Sequence, residues 1–458
     1  MITDIGAWAW LVIPGILLLV IAIAKPEIGL VALVFVVYTN FSDILISRFG
    51  LPSIMQPLVG LLVVVILARR FIFQDETRGI VQPVFLLGIY SFLGYLSFFY
   101  ASDAQLARST MFYELKNAIV WLMIIALIRK PSDLNWAIWA LLLAGIWMGS
   151  ISMFQVLTGT YDKIYWGFGS VTTLTSEYRI EGPVGDANYY AQIMLVLIPL
   201  AFGRFMHEKK LIMRGLAGWA LIVCVFTVLY TYSRGGFLAF LVVGFLILMR
   251  QPSRPWSSIL LVVVLALLFY QFIPKQYTER VTTLLELVPG ASNSTTIDSS
   301  LQGRSAASIA AWRMFTDHPI FGVGVGNYNT NYDKYARQLG LSREALSAHN
   351  LYLEVLAERG IFGFLSFFAV IYFTFRVLHK SWLSFYKNRL TDLSDMSNSL
   401  MIGFVGYLVA ATFLHDAFIR YMWLLVGIAW SLPQLVRYCI GDEEQTRQLT
   451  DFRVAYHD

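Results

Sequence analysis

The chain has 458 residues, of which 57% are hydrophobic, 15% are aromatic and only 14% are charged, and its mean hydropathy is +0.64. This composition excludes an ordinary soluble domain and indicates an integral membrane protein. The formal charge of +5 follows from the distribution of basic residues between loops, so it gives no support to a nucleic-acid partner.

Apolar stretches long enough to cross a bilayer recur along the whole chain. A transmembrane helix needs roughly 20 apolar residues, and the number of such stretches predicts an all-α, polytopic transmembrane helical bundle of about 12 to 13 spans. The first stretch lacks the basic start and the cleavage site of a signal peptide, so we expect it to remain as a span. The predicted spans are 8–24, 28–46, 55–70, 82–100, 110–128, 134–157, 187–205, 213–232, 235–250, 257–273, 358–378, 399–414 and 417–437.

Lysine and arginine residues concentrate in alternate short loops, and this bias predicts the orientation because basic loops stay in the cytoplasm. The other short loops carry one basic residue each and are expected to face outward, as is the long segment 158–186. The predicted organisation is an N-terminal bundle of about ten spans (1–273), an extracytoplasmic cap (274–347), C-terminal transmembrane helices (348–438) and a cytoplasmic tail (439–458).

The segment 274–347 has the pattern of a small, mostly helical cap. Its stretch "GRSAASIAAWRMF" (303–315) repeats apolar residues at intervals of three, as in an amphipathic helix that lies along a surface. Residues 327–339 are expected to form a second short helix. The glycines between them, in "DHPIFGVGVGNY", lack the GxGxxG spacing and the βαβ context of a nucleotide site, so we expect no nucleotide there.

Ionisable residues crowd the start of an apolar stretch in "LSAHNLYLEVLAERGIFGF" (346–364). On a helix, Asn350, Glu354 and Glu358 form one polar stripe, which must be hidden from lipid. That stripe and the adjacent His349 indicate a wet cavity on the outer side. The alternative is an interfacial segment whose polar groups meet lipid headgroups.

Two arginines stand at glycine-containing outer turns. Arg234 lies in "YSRGGFLAF" between two spans, and Arg179 precedes the turn of "YRIEGPVGDANYYA". After that turn, Asp186 is the expected N-cap of the next helix, and Asn188 lies in its first turn. The alternatives are that Arg234 extends to lipid headgroups and that the second stretch is an ordinary loop and cap.

These stretches and "GRSAASIAAWRMFTDHPIFGVGVGNY" follow one another on a polytopic chain, and the combination resembles the O-antigen ligase and O-antigen polymerase family. The likeness of the motifs covers residues 178–364, and the pattern of spans extends it over most of the chain. The resemblance implies a metal-independent glycosyltransferase that takes a glycan from a polyprenyl-pyrophosphate carrier. The acceptor it implies is lipid A core, another glycan repeat unit or a protein.

The departure of a pyrophosphate suggests roles for individual residues. Guanidinium groups keep their charge and offer paired donors to phosphate oxygens, so Arg179 and Arg234 are the pyrophosphate-binding candidates, and the family motifs include both. An acceptor hydroxyl needs a base with a pKa near the working pH, which makes His349 the catalytic candidate. The resemblance also implies inversion at the anomeric carbon. Weaker candidates for positioning the substrate are Asn188, Arg304, Tyr352 and Glu354.

Two further outer histidines have plainer interpretations. His318 precedes a proline in the cap and is expected to be structural, and His415 is expected to make an outer-rim hydrogen bond. No spacing of His, Cys, Asp and Glu suits a set of metal ligands, so neither a catalytic metal nor another cofactor is expected.

The expected partners are the lipid-linked glycan donor, one of the three acceptors and membrane lipids, with no nucleic acid. The expected location is the bacterial inner membrane, with the active site facing the periplasm. Two alternatives stay open, a repeat-unit polymerase of the same family and a transporter of lipid-linked sugar or a small anion. The polar groups gather at one face and not along the midplane, which favours an enzyme.

Overall fold

The computed structural model describes residues 24–72, 81–174, 177–250, 299–339, 347–415 and 420–455. Apart from Ala24, the predicted spans at 8–24 and 257–273 lie outside the described residues. Residues 274–298, the first part of the predicted cap, also lie outside the described residues.

Within the described ranges, nearly all regular structure is helical. The helices are α1 (Pro26–Tyr38), α2 (Phe41–Phe49), α3 (Met55–Ile72), α4 (Val81–Tyr95), α5 (Ala104–Leu127), α6 (Pro131–Thr158), α7 (Ala187–His207), α8 (Leu211–Tyr230), α9 (Arg234–Met249), α10 (Ser299–Asp317), α11 (Tyr328–Leu339), α12 (Leu351–Lys387), α13 (Thr391–Ala411) and α14 (Arg420–Ala455). The predicted helices in the cap, 303–315 and 327–339, correspond to α10 and α11.

One element departs from the predicted all-α fold. The segment 158–186, which is predicted to face outward, contains an antiparallel hairpin, β1 (Ser170–Leu174) and β2 (Glu177–Gly182). Thr172 lies opposite Arg179 in this ladder. The β-branched residues of "SVTTL" favour a strand, but this stretch is too short to stand out in a chain dominated by apolar helices.

Eight described helices are long and apolar enough to cross a membrane, and the count rises to nine if the bent pair α1 and α2 is one span. These eight are α3, α4 with its short 3-10 extension, α5, α6, α7, α8, α12 and the first part of α14. The chain is therefore a multi-pass membrane protein. The predicted total of about 12 to 13 spans is not confirmed, because α9 has only 16 residues and the polar start of α13 keeps it outside this set.

The predicted span 28–46 is wrong as a continuous helix. Between α1 and α2 the axis bends by 58°, because Asn40 adopts a left-handed conformation with φ of 57°. The carbonyl oxygen of Phe35 accepts both the backbone N–H of Thr39 at 2.9 Å and its hydroxyl at 2.7 Å, which close the last turn of α1. The amide of Asn40 donates to the carbonyl oxygen of Pro183 at 3.0 Å, which joins the bend to the outer segment.

The centre of the bundle is α7. It packs against α6, α8, α9 and α13, and most of its residues are buried, whereas few residues of α3 are buried. The hydroxyl of Tyr38 donates to the carbonyl oxygen of Ile193 at 2.7 Å and ties α1 to this centre. Residues at the start of α7 are therefore held at the middle of one end of the bundle.

The predicted span 358–378 is also interrupted, because α12 breaks at Gly360, with φ of 61° and ψ of −165°. The glycine-rich loop before α11 fills the break. Val323 and Gly324 donate their backbone N–H groups to the carbonyl oxygens of Ala357 and Glu358, each at 2.9 Å. We call this loop, residues 319–327, together with Gly360 the glycine junction.

The glycines of the glycine junction are needed for close approach. A Cβ atom on Gly322 would overlap the backbone of Glu358, and one on Gly360 would overlap the backbone of Ile320. Gly322, Gly324 and Gly326 also have positive φ angles, which other residues adopt at a cost. The spacing of these glycines therefore reflects backbone packing.

Buried charges complete the glycine junction. The carboxylate of Glu358 accepts the backbone N–H groups of Gly326 at 2.8 Å and Tyr328 at 3.0 Å. Next to it, the guanidinium of Arg359 pairs with Glu114 on α5 and lies over the ring of Tyr90. The junction thus fastens the cap helices to α4, α5 and α12.

Candidate functional site

The hairpin and the first turn of α7 build one side of the candidate site. Asp186 caps α7, as predicted, because its carboxylate accepts the backbone N–H groups of Asn188 and Tyr189 at 2.7 and 3.0 Å. Gly182, with φ of 56°, ends the hairpin where a Cβ atom would overlap the ring of Tyr190. This tight turn brings Arg179 of β2 back over the start of the helix.

Arg179 is oriented by two hydrogen bonds. Its Nε donates to the carbonyl oxygen of Thr231 at 2.9 Å, and its Nη2 donates to Oδ1 of Asn188 at 3.2 Å. Asn188, predicted to position the substrate, therefore holds the guanidinium of Arg179. The motif "YRIEGPVGDANYYA" contains both Arg179 and Asn188, but their contact could not be predicted from their spacing in the sequence.

Arg234 belongs to the turn that Arg179 contacts. This turn follows α8, and Ser233 caps α9 by accepting the N–H of Gly236 at 3.1 Å. Arg234 is the first residue of α9, three positions after Thr231. The two predicted pyrophosphate-binding residues therefore meet at one turn, although 55 positions separate them in the sequence.

The glycines after Arg234 allow this turn to pack closely. A Cβ atom on Gly235 would overlap the side chain of Phe413, and one on Gly236 would overlap Cβ of Ala191. The start of α9 is thereby fixed against α7 and against the segment that follows α13.

His349 lies just before α12, on a turn where its φ is +46°. Asn350 is the N-cap, and its side chain accepts the N–H groups of Tyr352 and Leu353 at 3.0 Å each. The helix therefore starts at Leu351, so Asn350 caps it and does not extend the predicted polar stripe. A non-glycine residue with positive φ is uncommon and is often found at functional sites.

The ring of His349 lies against the ring of a residue whose importance the sequence did not reveal. The ring centroids of His349 and His415 are 5.0 Å apart, with an angle of 87° between their planes. On another side, the ring of His415 lies 5.5 Å from that of Tyr189. The carbonyl oxygen of His415 accepts a hydrogen bond from the hydroxyl of Tyr189. The predicted outer-rim residue is thus part of a histidine pair.

Burial and nearby charges favour the neutral form of both histidines. Burial lowers the pKa of His349 below its ordinary value of 6.5, the charge of Arg304 lowers it further, and Asp186 acts in the opposite direction. For His415, burial is again the main cause, with contributions from His349 and Arg304, and its pKa falls to about 4. A neutral imidazole is the form that can accept a proton.

Arg304 reaches this region from the cap helix α10. It acts electrostatically on both histidines, so the structure brings it to the same end of the bundle as His349. The alanines of α10 face inward, whereas Ile309 and Trp312 are half exposed, at 50% and 54%. The apolar residues at intervals of three therefore point mostly away from the protein, which agrees with the prediction that this helix lies along a surface.

Two of the weaker candidates point elsewhere. The hydroxyl of Tyr352 donates to the carbonyl oxygen of Leu408 at 2.8 Å, which gives it a part in joining α12 to α13. Glu354 is buried, and its charge acts on Tyr328 at the start of α11. These contacts connect the two residues to α13 and to the start of α11, and we assign neither of them a step in the proposed reaction.

Among the residues that the structure describes, no group of three or more His, Cys, Asp and Glu side chains could hold a metal ion. The candidate site instead combines two half-exposed arginines, a half-exposed arginine of the cap and two imidazoles. This set can bind an anion and accept a proton.

Comparison with known proteins gives a family match in the second half of the chain. Residues 219–368 match the family described as "O-Antigen ligase". This stretch contains Arg234, Arg304 and His349, whereas Arg179 and Asn188 precede it. Together with the relatives below, the match supports the O-antigen ligase/polymerase family and an assignment to polysaccharide biosynthesis.

Two curated proteins are similar to parts of this chain. The teichuronic acid biosynthesis protein TuaE of Bacillus subtilis (strain 168) is 31% identical over 102 residues, which are 22% of this chain and 20% of that protein. The O-antigen ligase of Salmonella typhimurium (strain LT2) is 25% identical over 221 residues, 46% of this chain and 51% of that protein. The chain thus spans about a fifth and about half of the length of these relatives.

Proposed function

We propose, from the premise that this chain belongs with the O-antigen ligase/polymerase family, that it is a membrane glycosyltransferase. It moves a glycan from a polyprenyl-pyrophosphate carrier to the hydroxyl group of an acceptor. The reaction takes place at the outer face of the bacterial inner membrane and uses no metal ion.

One observation carries this proposal, which is the meeting of separate motifs at one end of the bundle. Arg179 of the hairpin bonds to Thr231, in the turn that leads to Arg234. His349 and Arg304 come from later motifs, and Asp186, the cap of α7, acts electrostatically on His349 together with Arg304. A transfer from a pyrophosphate requires groups that bind the anion and a base that accepts a proton, and these contacts support the assignment of those roles to the two arginines and to His349.

In the proposed reaction, Arg179 and Arg234 hold the pyrophosphate through charge-assisted hydrogen bonds. His349 accepts the proton of the acceptor hydroxyl while that oxygen forms a bond to the anomeric carbon of the glycan. The bond between the anomeric carbon and the pyrophosphate oxygen breaks, and polyprenyl pyrophosphate leaves with the electron pair. Attack from the face opposite to the leaving group inverts the anomeric centre, as the family resemblance implies.

The acceptor is the finer part of the proposal. The two relatives are named for different polysaccharides, teichuronic acid and O-antigen. We favour transfer to lipid A core, with a second glycan repeat unit as the alternative acceptor. These two reactions share the pyrophosphate half and differ in which hydroxyl His349 deprotonates.

A transfer assay with purified protein in detergent tests the proposal. The protein is supplied with polyprenyl-pyrophosphate-linked glycan and either lipid A core or a second repeat unit, with a chelator present and no nucleotide. A glycan joined to lipid A core supports the ligase, and a lengthened lipid-linked glycan indicates the polymerase. If neither product forms and the protein is folded, the proposed enzyme is contradicted and a transporter is favoured, since transport cannot be detected in detergent.

The sidedness of the site has its own test. In a variant without the native cysteines, Thr173→Cys on the hairpin is expected to react with a membrane-impermeant maleimide in intact cells. Lys387→Cys, at the predicted cytoplasmic end of α12, is the control and should react only after the membrane is opened. Both positions are exposed, so the reverse pattern would overturn the periplasmic location.

A further inference from the structure

His415 is held in place by His349 and Tyr189. Its ring lies edge to face against that of His349, with centroids 5.0 Å apart, and 5.5 Å from the ring of Tyr189. Its own carbonyl oxygen accepts a hydrogen bond from the hydroxyl of Tyr189. Two positions earlier, Phe413 packs on Gly235, next to Arg234. The segment 413–415 therefore contacts both the proposed base, through His415, and the proposed pyrophosphate-binding turn, through Phe413.

One atom of this side chain has an unmet requirement. The Nδ1 atom of His415 is shielded from solvent and has no hydrogen-bond partner among the residues that the structure describes. Leaving a buried polar atom without a partner is unfavourable, because the atom has lost its hydrogen bonds to water. Such an atom needs a specific explanation, and a missing ligand or water is a common one.

We propose that His415 binds a sugar hydroxyl of the substrate through Nδ1, and so helps to select the glycan next to the bond that is formed. This inference rests on the proposed transferase function. It assigns to His415 a contact with substrate that differs from the proton transfer by His349 and from the phosphate contacts of the two arginines.

The charge state of His415 favours a hydroxyl over a phosphate. Its pKa of about 4 means that the ring is neutral near pH 7, mainly because it is buried. The charged and titratable groups that act on it are His349 before α12, Arg304 of the cap and Asp186 at the start of α7. A neutral imidazole offers one donor and one acceptor, which matches a hydroxyl group, whereas a pyrophosphate is better bound by permanent cations.

Three substitutions separate the functions of this ring. His415→Phe keeps an aromatic ring between His349 and Tyr189 and removes both nitrogens. His415→Asn places an amide nitrogen near the position of Nδ1, whereas His415→Gln places one near Nε2. His318→Phe is the matched control because His318 is exposed on the cap.

The expected result is a change in KM for the glycan. His415→Phe should raise KM by roughly 3- to 10-fold, the effect of one neutral hydrogen bond, and His415→Gln should resemble it. His415→Asn should stay close to wild type. Inhibition by free polyprenyl pyrophosphate should be equal in all variants, since no sugar is present in it. His318→Phe should change none of these values.

Several outcomes would overturn the inference. An unchanged KM in a folded His415→Phe protein would remove the contact, and a His415→Asn variant as weak as His415→Phe would exclude Nδ1. A fall in kcat with a shifted pH profile and an unchanged KM would show that His415 acts only through His349. Loss of thermal stability without any change in KM would show a purely structural ring.

A binding measurement keeps this test separate from that of the proposed function. The affinity of polyprenyl-pyrophosphate-linked glycan can be measured without an acceptor, for wild type and for His415→Phe. Weaker binding by the variant would support the contact even if no transfer is detected. Equal binding would contradict the contact even if the transferase activity is established.

Discussion

The two ends of the first segment of α12, before its break at Gly360, differ in how their charged side chains are used. Residues 351–359, the first segment of α12, carry His349 just before their start and meet the glycine junction at their end. At the junction, Glu358 and Arg359 are 2% and 3% exposed. Glu358 accepts a hydrogen bond from Gly326 of the glycine junction, and Arg359 donates one to Glu114 of α5. At the other end, His349 and the arginines around it are half exposed.

This difference separates a structural use of charge from a functional one. Buried charges are stable only when protein groups pair with them, and the junction supplies such partners for Glu358 and Arg359. The site fixes the direction of its side chains through backbone contacts and caps, as with Arg179 and Thr231, while their charged ends stay near solvent. The following four predictions test the division between the two ends.

The largest effect is expected at His349. His349→Ala should lower kcat by roughly 10²- to 10⁴-fold, because a general base contributes about that much. His318→Ala, at an exposed histidine of the cap, is the control and should retain its rate. The measurement is the transfer rate per folded protein, and a near-normal rate for His349→Ala would remove its catalytic role.

A smaller loss is expected for Arg179→Lys. A lysine keeps the charge but cannot reproduce the fork that bonds to Thr231 and Asn188 while facing a phosphate. We expect kcat/KM to fall roughly 10- to 100-fold, as for the loss of one or more charge-assisted hydrogen bonds. Arg337→Lys, on the exposed face of α11, should change nothing. Full activity of Arg179→Lys would favour a structural arginine.

At the glycine junction, the expected effect is on stability. Gly360→Ala should lower the stability of the folded protein by about 2 kcal/mol or more, because its backbone conformation is almost restricted to glycine and the new Cβ would overlap Ile320. Gly50→Ala is the matched control, with φ of 63° and open space around it. Thermal midpoints in detergent compare the two, and equal losses would show that the junction does not constrain Gly360.

The smallest expected effect is on how the stability of the folded protein depends on pH. The pKa of His415 is about 4 in the folded protein and 6.5 ordinarily, so the unfolded chain binds a proton first as pH falls. The stability due to the neutral ring is complete above pH 6.5 and is lost progressively between pH 6.5 and 4. The midpoint of His415→Phe should depend less on pH over this range. An equal slope would contradict the assignment.

Much of this architecture could be predicted from the sequence because bilayer spans and helix caps leave local signals. Asp186 was predicted as the N-cap of α7, and the structure confirms it. The breaks in α1–α2 and α12 were missed, because hydropathy does not detect a single residue such as Asn40 or Gly360 in an unusual backbone conformation. The hairpin was missed because its two strands are short.

The candidate site was predicted in part. Arg179, Arg234, Arg304 and His349 stand in recognisable motifs, and the structure brings them to one end of the bundle. The role of Asn188 as the partner of Arg179 and the contact between His349 and His415 could not be predicted, because both depend on side-chain geometry. His415 had a possible signal, since it was one of three histidines assigned to the outer side.

The bend at Asn40 has a consequence for the order of assembly. Chains emerge from the ribosome with the N-terminal part first, so α1 and α2 are made well before the hairpin that carries Arg179. The amide of Asn40 bonds to Pro183, and Phe41 packs on Phe168 with ring centroids 5.7 Å apart. The early helices thus provide a surface against which the two segments flanking the later hairpin pack. Asn40→Leu should delay this packing during biogenesis without affecting the insertion of α1.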